Sequence, residues 1–164
     1  MSTVVELRVP SEVLRNASGL PAADYADCFT ALAAGATERT AEGWARTAIE
    51  GASAWGRFVT WQVLCALRLD HRPSPDRLSG WQIAERGENW IRLAARSWFM
   101  TAHIVVHVDR GQLSFATFVR YDNPVGALVW PAVTRIHRRA VPGLLRAALR
   151  APRPTGQGPG LRTR

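Results

Sequence analysis

The sequence predicts an α+β fold in which a curved antiparallel sheet wraps around a long C-terminal helix. Four short β-like runs follow one another, and turn residues such as Arg86-Gly87 separate them. The runs are residues 79–85, 89–97, 99–108 and 113–121. The last run leads into an amphipathic helix that begins at Asn123 and Pro124, because Asn is a favourable N-cap and Pro is favourable at the first helical position. A sheet closed by one helix usually encloses a chamber, so the sequence predicts a cavity more clearly than a reaction.

The elements before these runs are predicted from alternation and helical periodicity. In chain order they are an edge strand at 3–9 that ends at Pro10, a loop or single helical turn at 11–21, a strand at 25–31, helices at 41–52 and 55–69, and a loop at 71–77. Gly51 and Gly56 mark the break between the two helices. The second of these helices is apolar on most sides, so we expect other parts of the protein to cover it.

Length and composition predict one globular domain at residues 1–151, followed by a disordered Pro/Gly/Arg-rich tail at 152–164. A hydrophobic content of 47% and a charged content of 21% argue against a disordered chain. The first residues do not resemble a signal peptide, and no uncharged apolar stretch reaches the ~18–20 residues of a transmembrane helix. Cys28 and Cys65 lie in apolar surroundings without a CxxC motif, which predicts reduced, buried thiols. We therefore expect a cytoplasmic protein.

The formal net charge of +8 lies entirely in the C-terminal helix and tail. Asp122 is the last acidic residue, residues 1–122 hold equal numbers of Arg and acidic residues, and the chain has no lysine. The basic segment is either an anion-binding surface for nucleic acid or acidic lipid, or a solvated helix face with a basic tail. Because no aromatic residue follows Trp130, we do not expect nucleic acid to be a partner, and a membrane surface is a weaker alternative.

Three stretches carry a resemblance to a known superfamily. They are Asp24-Tyr25-Ala26-Asp27-Cys28-Phe29, the segment Trp55-Gly56-Arg57, and Gly126-Ala127-Leu128-Val129-Trp130 followed by Ile136-His137-Arg138. Together they resemble a bacterial family of unknown function within the START/Bet v 1-like (SRPBCC) superfamily, which includes polyketide cyclases and lipid-transfer domains. Members of that family often have Arg after the glycine, where this chain has Ala127. The resemblance covers residues 5–150 and implies a helix-grip fold that needs no cofactor.

His137 is the first candidate catalytic residue. It belongs to a predicted stripe at helical spacing, formed by Trp130, Thr134, His137, Val141 and Leu144. An imidazole on this stripe would face the chamber, where a pKa near neutrality suits proton transfer. The alternative is a core histidine that is hydrogen-bonded to a residue of the sheet.

Tyr25, Asp27 and Phe29 share one face of the predicted strand, because side chains alternate with a period of two. If that face points inward, Asp27 lies near the chamber and pairs with His137 or Arg57. If it points outward, Asp27 is only solvated. The expected ligand-binding walls are Trp130, Thr134, Trp61, Trp81, Phe115 and Tyr121.

His103 and His107 lie in a β-branched, alternating segment that predicts a strand. Four residues along a strand span ~13 Å, which is too far for two rings to share one metal ion. We therefore predict no metal site here. Both rings are expected on the face opposite Ile104 and Val106, with one of them, His103, as a candidate for the cavity wall.

The functional hypothesis is binding of a mostly apolar small molecule in an internal cavity, together with a cofactor-free cyclisation, dehydration or isomerisation. His137 would give general acid–base help, with Asp27, Tyr25 or His103 nearby. The sequence has no GxSxG elbow, no Gly-rich phosphate loop ending in Lys and no GxGxxG after a strand. Two alternatives stay open: a non-catalytic carrier or sensor of hydrophobic ligands or lipids, and an interaction module that uses the Arg-rich C-terminus.

Overall fold

The computed structural model describes residues 4–7, 10–33, 35–51, 61 and 64–152. Within these ranges the strands are β1 Val4–Leu7, β2 Tyr25–Leu32, β3 Arg77–Leu78, β4 Trp81–Arg86, β5 Trp90–Arg96, β6 Met100–Asp109 and β7 Gln112–Tyr121. The helices are α1 Glu12–Ala17, α2 Ala41–Glu50 and α3 Pro124–Arg150. A short 3-10 turn, Ala36–Glu38, precedes α2. The part of the chain that the structure describes is therefore α+β, as the sequence predicts.

The seven strands form one antiparallel sheet in the order β1-β2-β7-β6-β5-β4-β3. Strands β4 to β7 are the predicted meander, and each pairs with its neighbour in sequence. Strand β2 joins this meander by pairing with β7, with Asp27 opposite Thr117. Strand β1 pairs only with β2 and forms one edge of the sheet, which confirms the predicted edge strand.

The sheet has apolar side chains packed on both of its faces. Helices α2 and α3 pack on one face, in the larger core, against residues that include Phe29, Val106 and Phe115. The opposite face carries a smaller cluster in which Leu14 of α1 packs near Val105. Successive residues of a strand point to opposite faces. Successive residues of a strand therefore contribute alternately to these two cores.

Helix α3 begins as the sequence predicts. The side chain of Asn123 accepts a hydrogen bond from the Val125 amide at 3.0 Å, and Pro124 occupies the first turn. Pro131 and Pro142 lie inside the helix, where each removes one amide donor. The buried residues of α3 are Gly126, Trp130, Val133, Val141, Leu145 and Ala148. The predicted stripe differs slightly, because Leu145 rather than Leu144 reaches the interior.

One predicted element agrees with one of its two alternatives, and another differs from the structure. At residues 11–21, where the sequence predicts a loop or a single helical turn, the structure has the six-residue helix α1, whose N-cap Ser11 accepts from the Leu14 amide. The predicted helix at 55–69 does not extend to residue 69, since residues 66–70 have no regular structure. Ala66 has a φ of 48°, and the Arg68 amide donates to the Arg96 carbonyl at 2.9 Å. Pairing with the end of β5 therefore replaces the last helical turn.

Some expectations fall outside the described residues. They concern Trp55-Gly56-Arg57, most of the second predicted helix, and the tail beyond residue 152. Of the helices that are described, none combines the length and the apolar character that a bilayer-crossing segment requires.

Candidate functional site

A buried carboxylate lies between β2 and α3. Asp27 is 2% exposed, and its position on β2 directs it toward the larger core. The Tyr25 hydroxyl donates to Asp27 Oδ2 at 2.6 Å. His137 Nε2 lies 3.0 Å from the same oxygen and 3.4 Å from Oδ1. The three side chains, here called the Tyr25–Asp27–His137 chain, thus meet at one carboxyl group. This arrangement confirms that the inward orientation of Asp27 is the correct alternative.

The carboxylate selects one tautomer of His137. An ionised carboxylate only accepts hydrogen bonds, so the nitrogen that faces it must carry a proton. Nε2 is that nitrogen, at 3.0 Å. In the neutral ring Nδ1 is then an acceptor, and in the charged ring it is a donor. The Nδ1 atom of His137 lies on the side of the ring away from Asp27.

Tyr25 supports the carboxylate as a permanent donor. Burial and the hydrogen bond to Asp27 raise the pKa of the Tyr25 hydroxyl well above its usual range, so the phenol keeps its proton. The Tyr25 ring also packs edge-on against Trp130, with the ring centroids 5.1 Å apart. The Trp130 ring lies 5.9 Å from the imidazole of His137. Aromatic packing thus fixes the rings at both ends of the chain.

A narrow cavity lies beside His137 in the larger core, with a volume of about 40 Å³. The described residues that line it are Trp61, Cys65, Leu67, Trp81, Met100, Ala102, Ile104, Thr117, Trp130, Val133 and His137. Trp61 and Trp81 meet edge-to-face at 5.5 Å. Pockets for drug-sized ligands usually measure about 300–1,000 Å³, so this space holds only a small molecule or the end of a larger one.

Three polar atoms in this region are buried and have no hydrogen-bond partner among the described residues. They are Trp81 Nε1, Trp130 Nε1 and Thr134 Oγ1. Both indoles line the cavity. A buried N–H without an acceptor is uncommon in proteins, because its lost hydration is not replaced. The fold therefore leaves the indole N–H groups of two residues that line the cavity without an acceptor.

An outer recess of about 280 Å³ lies on the other side of the carboxylate. Its lining residues are Glu6, Tyr25, Ala26, Asp27 and Arg138. Arg138 of α3 forms an ion pair with Glu6 of β1 across this recess. The Tyr25–Asp27–His137 chain thus lies between the recess and the inner cavity.

The structure brings together most of the candidate residues of the sequence analysis. Trp61, Trp81, Trp130 and His137 line the cavity. Asp27 and Tyr25 adjoin it through His137. Phe115, Thr134 and Tyr121 are not among the lining residues, although Phe115 is buried in the same core and Tyr121 packs against it. The predicted partner Arg57 lies outside the described residues.

His103 is not part of this constellation. Its Nδ1 lies 2.7 Å from the Ser18 carbonyl, on the face that α1 covers. Burial lowers the pKa of His103, so the neutral ring is favoured there. Ile104 lines the cavity from the same strand. Since adjacent strand residues point to opposite faces, His103 lies across the sheet from His137.

Sequence reasoning missed several of the cavity residues. Thr117 lies opposite Asp27 in the pairing of β2 with β7, and Met100 and Ala102 belong to the inward face of β6. The alternation of β6 groups Met100 and Ala102 with Ile104, which is a usable signal. Cys65 follows Trp61 by four residues, a spacing that places two residues on one helical face.

Comparison with protein-family models, with curated proteins and with solved structures finds no match to this chain. Among the described residues, no group of three or more His, Cys, Asp or Glu side chains is placed to hold a metal ion.

Proposed function

We propose that the protein binds a small, mostly apolar molecule in the cavity beside His137 and exchanges a proton with it. The observation that carries this proposal is the Tyr25–Asp27–His137 chain, which ends on the cavity wall. A buried carboxylate behind an imidazole holds the tautomer and stabilises the imidazolium that forms when the ring takes a proton. His137 also lines the cavity, so its ring lies beside the space in which we propose that a ligand binds.

The proton chemistry follows from the geometry of His137. In the neutral ring Nδ1 accepts a proton from the bound molecule, and Asp27 stabilises the resulting charge at Nε2. The Tyr25 hydroxyl keeps the Asp27 carboxylate oriented while the imidazole takes up the proton and while it returns it. The ring then returns the proton to another atom of the ligand. Isomerisation and dehydration are reactions of this class, and neither requires a cofactor.

The size of the cavity limits the ligand. A volume of about 40 Å³ matches a small molecule, or the reactive end of a larger one. The mostly apolar walls favour a ligand that carries few polar groups. We further propose that α3 and the seven-stranded sheet form a helix-grip fold related to the START/Bet v 1-like superfamily, in a cytoplasmic protein. The packing of α3 on the sheet beside a cavity supports this relation.

Binding is tested with 2-methyl-1-butene, an apolar molecule of five heavy atoms. Its addition should shift the NMR signals of the Trp61, Trp81 and Trp130 indoles and leave that of Trp98, which is 58% exposed, unchanged. Equal shifts of all tryptophan signals would indicate a solvent effect and no site.

Proton transfer is tested with nitroethane, a small carbon acid, in deuterated water. The wild-type protein should accelerate loss of the proton next to the nitro group, and His137→Gln should remove the acceleration. His107→Gln is the matched control, because His107 is on the opposite sheet face from the cavity. Binding without acceleration would instead favour the non-catalytic carrier or sensor.

A further inference from the structure

The geometry points to a ligand that carries a carbonyl oxygen, which the indole N–H groups of Trp81 and Trp130 receive. This inference names the ligand class for the cavity and rests on the proposed function. Both indoles line the cavity, and both are nearly inaccessible, with 2% and 5% of their surface exposed. Neither Nε1 has an acceptor among the described residues.

The fold satisfies an indole N–H elsewhere. Trp44 of α2 is also buried, and its Nε1 donates to the Ala36 carbonyl at 2.9 Å. A buried donor left without a partner costs about 1–3 kcal/mol. The two indole donors, Trp81 of β4 and Trp130 of α3, therefore carry a substantial cost together. Both indoles line the same cavity, so an oxygen atom of a ligand bound there would remove the cost for both of them.

The chemistry of the walls restricts which oxygen fits. An indole N–H is a donor and never an acceptor, so the ligand group must be an acceptor. No Arg, Asp or Glu is among the described residues that line the cavity. A carboxylate would be buried there without an arginine and close to the carboxyl group of Asp27, which is unfavourable. A neutral carbonyl oxygen meets both conditions. A cavity needs about 10–15 Å³ of free volume to hold one water molecule. The cavity, at about 40 Å³, therefore accommodates a carbonyl group together with a few carbon atoms.

A carbonyl at this place also suits the proton chemistry of His137. The Nδ1 atom takes a proton from the carbon next to the carbonyl, and the C–H electron pair becomes a C=C bond. The electron pair of the C=O bond moves to the oxygen, where the indole N–H groups stabilise the negative charge. The imidazolium then returns the proton to the oxygen or to another carbon. The net result is enolisation or isomerisation, with no oxidant or reductant.

The test compares butanone with 2-methyl-1-butene, which differ only in having C=O or C=CH₂. Butanone should bind about three- to tenfold more tightly for each hydrogen bond gained. Butanone should also move the Trp81 and Trp130 indole proton signals downfield, because a hydrogen bond has this effect. The hydrocarbon should shift these signals without moving them downfield. The variants Trp81→Phe and Trp130→Phe keep a ring and lose the N–H, so each should lose part of the preference for butanone and still bind the hydrocarbon. Trp98→Phe is the control, because that side chain is exposed.

Equal affinity for the two probes, or a preference that survives in both variants, overturns the carbonyl assignment while leaving the proposed function intact. A cavity that holds only water, with neither probe shifting the indole signals, overturns both. If a variant does not fold, the indole proton shifts of the wild-type protein decide alone: a downfield shift with butanone supports the assignment, and its absence overturns it.

Discussion

Asp27 determines the chemistry of the site at the scale of single residues. It is the one acidic side chain that is buried among the described residues, and it has two partners, Tyr25 and His137. A buried carboxylate without partners would be protonated or would destabilise the fold. The Tyr25 hydroxyl and the His137 imidazole both contact this carboxyl group, and His137 also lines the cavity.

Replacing Asp27 should therefore destabilise the protein. Asp27→Ala leaves the Tyr25 hydroxyl and His137 Nε2 without an acceptor, and we expect a loss of about 3–5 kcal/mol in the free energy of unfolding. Urea unfolding at neutral pH measures it. Asp109→Ala is the matched control, since Asp109 is exposed and its loss should cost less than about 0.5 kcal/mol. Similar costs for the two variants would contradict the role of the buried carboxylate.

Tyr25 predicts a dependence of stability on alkaline pH. Its pKa is raised by burial and by Asp27, so the unfolded chain loses this proton before the folded protein does. The free energy of unfolding should then fall as the pH rises above about 10, the ordinary value for tyrosine. Tyr25→Phe should be less stable by about 1–3 kcal/mol at neutral pH, because the bond to Asp27 is lost.

The same variant should lack the alkaline decline that Tyr25 causes. The stability curves of wild type and Tyr25→Phe, measured by urea unfolding from pH 8 to pH 11.5, should therefore converge above pH 10. Parallel curves would show that the hydroxyl does not titrate on unfolding.

The sequence allows part of this site to be predicted, and the limit is physical. Alternation places Tyr25 and Asp27 on one strand face, and helical spacing groups Trp130 with His137. Neither pattern shows which face of the strand or of the helix points into the core, because that depends on whether α3 packs on β2. His103 shows the same limit: its strand was predicted correctly, yet its ring faces α1 rather than the cavity.

At the scale of elements, α3 packs closely on the sheet at its first turns. A Cβ atom added at Gly126 would lie 2.8 Å from the Phe99 carbonyl oxygen and 3.0 Å from Tyr121 Cβ. Real Cβ atoms are not found so close to a backbone oxygen, so the helix would have to move. Glycine at this position sets the distance between α3 and the sheet, and with it the position of Trp130.

A matched pair of glycine substitutions tests this contact. Gly126→Ala should lower the thermal unfolding temperature, because the new methyl group collides with the Phe99 carbonyl. Gly143→Ala, in the same helix with nothing within 4 Å of the new Cβ, should instead stabilise by about 0.5–1 kcal/mol. If both variants gain stability, α3 is not in close contact at Gly126.

The elements themselves were predictable where the signals are local. The β4 to β7 meander and the start of α3 follow from alternation, turn residues and the Asn123-Pro124 cap, and each strand boundary is predicted within about two residues. The end of the second predicted helix was not predictable. It depends on the bond from the Arg68 amide to the Arg96 carbonyl, which joins residues 28 positions apart in sequence.

At the scale of the whole molecule, both faces of the sheet carry buried titrating groups. His103 and His107 lie on the face that α1 covers, and burial lowers the pKa of both. Tyr25 and Cys65 belong to the larger core, where burial raises the pKa of Tyr25 and raises that of the Cys65 thiol to about 12. The first pair limits stability in acid and the second pair limits it in alkali.

The dependence of the free energy of unfolding on acidic pH gives a separate prediction. Because the pKa of His103 is lowered in the folded protein, the unfolded chain binds the proton first, and stability should fall as the pH drops below about 6.5. His103→Gln should flatten the stability curve between pH 7 and pH 5. Chemical unfolding at several pH values measures the slope. An unchanged slope in the variant would assign the acid sensitivity to other groups.

The two prolines inside α3 affect how easily this helix can bend beside the narrow cavity. The carbonyls of Ala127 and Arg138 accept no helical hydrogen bond, because the residues four positions later, Pro131 and Pro142, have no amide hydrogen. The turns that carry His137 are thus bounded on each side by a position at which one helical hydrogen bond is missing, and helices bend most readily at such positions. If a molecule binds in the cavity as proposed, we expect α3 to bend at these two prolines to admit it.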